Sequence, residues 1–161
     1  MRKLNQHVQF HFLHTTPLKG GGGGQQIFAA WIPYRQQKRR ATILYSHANA
    51  IDIGQALPFF KSLSDDLGVN IFAYDYSGYG VSTGEPSVKN TLADAEAALE
   101  CVCCMYSLQE EDIVAYGQSV GSGPTVYLGA RHPRLAGIIL HSCESLPVFH
   151  FWAINTTRLT P

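Results

Sequence analysis

Apolar residues change period along this chain, and the changes mark out its elements. Val8, Phe10 and Phe12 alternate with His7, Gln9 and His11, the period of a half-buried strand. Residues 26–32 (QIFAAWI) predict a second strand, ended by Pro33. Between them Gly20 to Gly24 form a loop without a preferred backbone conformation, across which the two strands can pair as an antiparallel ribbon. From residue 42 continuous apolar, β-branched runs recur at 42–46, 69–74, 112–116 and 135–140. The stretches between them, 54–67, 88–106 and 119–131, space their apolar residues by three and four, as helices do. Ser87 is placed to cap the second helix, with Asn90 and Thr91 entering its first turn.

Strands that are apolar throughout are buried on both faces, as in a parallel sheet covered by helices. Strand–helix alternation with right-handed crossovers therefore predicts an α/β fold, a three-layer α/β/α sandwich. The expected organisation is 1–41 as amino-terminal strands with the glycine-rich loop, 42–142 as the α/β core, and 143–161 as a divergent tail. RQQKRR at 35–40 reads as a solvated turn rather than a nuclear signal.

Composition narrows the function. In 161 residues, Lys+Arg 12 against Asp+Glu 12 leaves no net charge and no basic excess for nucleic acid. No apolar run approaches the roughly 18 residues of a transmembrane helix, and the start lacks a signal-peptide core. Three of the four cysteines stand as CVCC at 101–104, a spacing unlike a metal site, and they read as small buried hydrophobes in a reducing, cytoplasmic setting. Neither a G-x-G-x-x-G after a strand nor a phosphate-binding G-x-x-x-x-G-K-[ST] occurs, so no cofactor and no metal is expected.

The chemistry concentrates at Gly117-Gln118-Ser119-Val120-Gly121, between the strand ending at 116 and the helix that follows. This is a G-x-S-x-G nucleophile elbow in its strand–turn–helix context. The glycines are needed because a side chain two residues either side of the serine would strike the neighbouring strand or helix. Such a turn lifts Ser119 Oγ above the sheet and sets the Val120 amide at a helix N-terminus, where it can donate to an oxyanion. The loop Tyr45-Ser46-His47-Ala48-Asn49-Ala50 follows another strand, where elbow enzymes place their second oxyanion amide. Asp75-Tyr76-Ser77-Gly78-Tyr79-Gly80 ends a third strand; Asp75 reads as an organiser of that loop rather than a catalytic acid.

These elements, in this order, resemble the α/β-hydrolase superfamily. The segments LYSHANAIDIGQ, YDYSGYGVSTGEPS, NTLADAEAALE and YGQSVGSGPTVYLGARHPRL are similar to the intracellular serine hydrolases called alpha/beta hydrolase domain-containing protein 17, over residues 42–142. The resemblance implies a hydrolase of acyl esters or thioesters, of the depalmitoylating type, acting on an acylated protein or a small acyl ester. It implies Ser119 as nucleophile and the amides of Asn49 and Val120 as oxyanion hole, with Gly117 and Gly121 as elbow glycines. Peripheral membrane contact goes with such a substrate.

The chain departs from the family pattern after residue 142, where the resemblance calls for an aspartate and later a histidine. The expectation is an α/β-hydrolase fold truncated after its sixth strand. The alternative function is therefore a catalytically impaired fragment with a binding role or none. Glu144 and His150 keep the order acid then histidine but stand too close together to rebuild a triad, and His47 reads as structural. Ala48 stands where the family has glycine; if that position needs positive φ, alanine strains it. The strand at 135–140 leaves an open edge, which Val148–Ile154 could cover.

Overall fold

A computed structural model describes residues 7–18, 24–34 and 41–142. Its order is β1 (Gln9–His14), β2 (Gln26–Ile32), β3 (Thr42–Ser46), α1 (Ile53–Leu67), β4 (Asn70–Tyr74), α2 (Val88–Tyr106), β5 (Ile113–Gln118), α3 (Ser122–Arg131) and β6 (Gly137–His141). The strands form one sheet in the order β1-β2-β4-β3-β5-β6. The β1–β2 ribbon is antiparallel and meets β4 antiparallel, while β4, β3, β5 and β6 run parallel. The runs at 35–40 and 143–161, and Gly20 to Gly23, lie outside the described residues.

Side chains alternate across the sheet into two cores. Leu44, Phe72 and Tyr74 face α2 and α3 with Ala95, Leu99 and Leu128. Ile43, Tyr45, Ile71 and Ala73 face α1 with Ile53, Ala56 and Phe60. A sheet coated on both faces by helices is the three-layer sandwich expected from the apolar strands. Helix ends follow local chemistry. Asp52 caps α1 by accepting from the Gln55 amide, Gly68 (φ 66°) ends it, and Ser87 caps α2 by accepting from the Asn90 amide at 3.1 Å.

Three expectations need correction. The third helix starts at Ser122 rather than 119, because Ser119 has φ 51° and only a 3-10 turn spans Ser119–Gly121. The β6 strand is not sandwiched like β3 and β4: α3 packs on it where Gly129 meets Ile138, but Ile139 and Leu140 are 44% and 40% exposed. In the CVCC segment Val102 is the buried residue; Cys101 and Cys103 are half-buried and Cys104 is exposed, the helical period having turned only Val102 inward. Among the described residues no helix is long and apolar enough to cross a membrane.

Candidate active site

Ser119 sits at the carboxyl end of β5 with φ 51°, a left-handed conformation that an L-residue holds only under constraint. The flanking glycines supply it. A Cβ on Gly117 would overlap the carbonyl oxygen of Gly121 and the Thr125 hydroxyl, and one on Gly121 would overlap the Ser46 carbonyl. The turn therefore presses α3 against β5 on one side and against the end of β3 on the other. Val120 follows at the entrance to α3, where backbone amides lack intrahelical partners.

The loop after β3 meets the elbow at that contact and is held from beneath by tyrosines. The Tyr74 and Ser46 hydroxyls share a hydrogen bond of 2.7 Å; the Tyr76 hydroxyl donates to the His47 carbonyl at 2.7 Å; and the Tyr79 hydroxyl donates to Asn49 Oδ1 at 2.6 Å. Burial pushes the Tyr74 and Tyr76 hydroxyls far above the ordinary phenol range, so they stay neutral donors. Positive φ in this loop falls on Ala50 (58°) and not on Ala48, so the strain expected at Ala48 is absent. The reversal of the chain occurs two residues later than the glycine pattern suggested.

His47 is 1% exposed, and of its two ring nitrogens only Nδ1 makes a hydrogen bond. Nδ1 donates to the Ala48 carbonyl at 2.8 Å, and Nε2 lies 3.4 Å from Asp75 Oδ1. Its ring packs on Tyr76 with centroids 4.3 Å apart. Asp75 in turn accepts from the Ile53 amide at 2.8 Å, anchoring the first turn of α1. Both residues therefore organise loops.

No motif in the sequence marks Asp94. It is fully buried on α2, accepting from the Ser77 amide at 2.7 Å and hydroxyl at 2.8 Å, and burial pushes its carboxyl up to about 6 against those bonds. Its only sequence signal was its place on the helix stripe, three residues after Thr91 and four before Ala98. The bond ties α2 to the loop carrying Tyr76 and Tyr79.

Beside the elbow lies a groove of about 290 Å³ with no charged residue in its lining. Tyr76 and Tyr79 form one wall, Val88 and Leu92 of α2 another, and Val120 and Pro124 the third. Val120 thus belongs both to the elbow and to the groove. Among the described residues no group of three or more His, Cys, Asp or Glu side chains is arranged to hold a metal ion.

A parallel-centred sheet with a strained serine between strand and helix defines an α/β hydrolase. Residues 37–149 match the family described as Serine aminopeptidase, S33 (Hydrolase_4), and the chain belongs to that family. It is 50% identical over 103 residues to the alpha/beta hydrolase domain-containing protein 17C of Homo sapiens, covering 64% of this chain and 31% of that protein. It is 48% identical over 101 residues to the human 17B protein, covering 63% and 35%. The chain thus spans about a third of the length of these relatives. Among solved structures it superposes on an alpha-beta serine hydrolase homologue from Coxiella burnetii with a TM-score of 0.64 at 17% identity, covering 93% of this chain and 68% of the other. An esterase from Pyrococcus furiosus gives a TM-score of 0.60 at 17% identity, covering 81% and 50%. At such identities the superpositions show the fold.

Proposed function

We propose that this chain carries the nucleophile of a serine hydrolase that cleaves acyl esters or thioesters, acylated proteins included. The observation that carries the reading is the positive φ of Ser119, held between two glycines packed against backbone. Such strain persists only where the surrounding structure enforces it, and it gathers at working sites. Ser119 Oγ attacks the carbonyl carbon, and a C–O bond forms as the carbonyl electrons move to oxygen. The amides of Val120 and Asn49 receive that oxyanion. Its collapse breaks the C–S or C–O bond, the leaving group departs with a proton, and the acyl-enzyme is hydrolysed by water. The uncharged groove beside Val120 takes the acyl chain, and the hydroxyls and amides around Ser119 need no metal or cofactor. A cytoplasmic site of action, at a membrane periphery where acylated proteins reside, fits this substrate.

The attack requires a base to accept the Ser119 proton. Among the described residues the rings of His11, His132 and His141 are bound to Tyr106, to two glutamates and to Tyr116 respectively. His47 is 1% exposed, with its Nε2 beside Asp75 but making no hydrogen bond, and His7 and His14 lie by β1, with three strands between it and β5. That arrangement favours a second reading, in which the chain binds acyl groups with little turnover. Nitrophenyl esters of graded chain length separate the two. A burst of nitrophenolate equal to the protein concentration, absent in Ser119→Ala, supports the hydrolase. Chain-length-dependent binding without a burst supports the impaired form.

A further inference from the structure

Three tyrosines of one segment, Tyr74, Tyr76 and Tyr79, hold Ser46, His47 and Asn49 in turn. The first two bonds are buried; the third lies at the surface, on the residue whose amide the hydrolase reading assigns to the oxyanion. Tyr79 is aimed there by its neighbours. Gly78 and Gly80 have φ of 78° and 53°, the Tyr79 amide donates to the Tyr76 carbonyl at 2.9 Å, and the Ser82 amide donates to the Tyr79 carbonyl at 2.8 Å. A Cβ on Gly80 would overlap Asp75 Oδ2, and one on Gly78 would overlap Pro86, so the loop is fixed from two sides. The same Tyr79 ring forms part of the groove wall.

From this we infer that Tyr79 is a positioning residue: its hydroxyl holds Asn49 so that the Asn49 amide meets the developing oxyanion. The inference rests on the reading of Ser119 as nucleophile. Tyr79 touches no reacting atom, and its hydroxyl acts through Asn49 alone, while its ring serves the groove. The two roles separate in Tyr79→Phe, which keeps the ring and removes the bond.

The test is the rate at which a decyl fluorophosphonate labels Ser119 in the full chain. Tyr79→Phe lowers the limiting labelling rate by about threefold to tenfold, the worth of one hydrogen bond, and leaves the concentration for half-maximal rate unchanged. Asn49→Ala lowers it similarly, and the double variant Tyr79→Phe/Asn49→Ala falls no further. Labelling of Tyr79→Phe at the wild-type rate, or losses that add in the double variant, overturn the inference. Failure of the wild-type chain to label at all overturns the nucleophile reading instead. In that case amide hydrogen exchange decides whether Tyr79 holds the loop: faster exchange across 48–50 in Tyr79→Phe supports the bracing, and unchanged exchange refutes it.

Discussion

Gly121 packs directly on the carbonyl of Ser46, joining the turn after β5 to the loop after β3. A Cβ at Gly121 would overlap the Ser46 oxygen and lie 2.9 Å from the His47 oxygen. The atoms it meets are backbone, so no rotamer change can relieve the clash. Gly121→Ala is expected to cost about 2–3 kcal/mol, at the upper end of overpacking effects, and to abolish Ser119 labelling by parting the two amides. Urea unfolding and probe labelling read the two effects separately.

Strain at Ser119 gives a prediction of opposite sign. Left-handed backbone costs an L-residue roughly 1–2 kcal/mol, which glycine escapes while adding unfolded-state entropy of about 0.5–1 kcal/mol. Ser119→Gly should therefore be inactive yet more stable than the wild type by about 0.5–1 kcal/mol. Ser119→Ala, which keeps the Cβ and the strain, should stay within about 0.5 kcal/mol of wild type. Paired denaturation curves check this.

His132 supplies the pH dependence. Its Nδ1 faces Glu110 and its Nε2 faces Glu96, both at 2.9 Å, and a neutral ring has only one N–H to give. Arg131 and Arg134 share the same carboxylates. Burial alone would lower the imidazole, but the bonds to Glu110 and Glu96 outweigh it and hold the group above its ordinary 6.5. Its folded-state affinity for the proton is raised. The stabilisation is thus complete below pH 6.5 and is lost as pH rises through the folded value. The urea midpoint of the wild type should fall above pH 6.5, and that of His132→Gln should change much less over the same range.

At the other end of the sheet, β6 pairs only with β5 among the described residues and exposes Ile139 and Leu140 on its two faces. An apolar strand with an unpaired edge associates with other strands. The purified chain is expected to self-associate, and Ile139→Lys with Leu140→Glu should shift it toward monomer in sedimentation velocity. A wild-type chain that sediments as a monomer at high concentration would contradict this.

What could be read ahead of the structure was local. The strands, the Ser87 cap and the Gly117–Gly121 elbow each announce themselves within a few residues, because period, capping and turn chemistry act at that range. The tyrosine supports were not legible: a tyrosine in YDYSGY shows neither which way its ring points nor that Ser46, His47 and Asn49 lie within reach. Asp94 was hidden for the same reason, since its partner Ser77 is brought to it only by packing α2 on the sheet. Ala48 and Ala50 show a different limit. Two alanines in one loop carry no mark of which must adopt positive φ, because the crossing from β3 to α1 decides it. In β6 the apolar run predicts burial, although burial depends on neighbouring elements rather than on the run itself.

Whether Ser119 is a nucleophile held by strain in a formed elbow is decided by intact-protein mass spectrometry after exposure to a small fluorophosphonate. A single phosphonyl adduct is expected on the wild-type chain, mapped to Ser119 by peptide analysis and absent from both Ser119→Ala and Gly121→Ala. A wild-type chain that gains no adduct, or gains one that persists in Ser119→Ala, would contradict a nucleophilic Ser119.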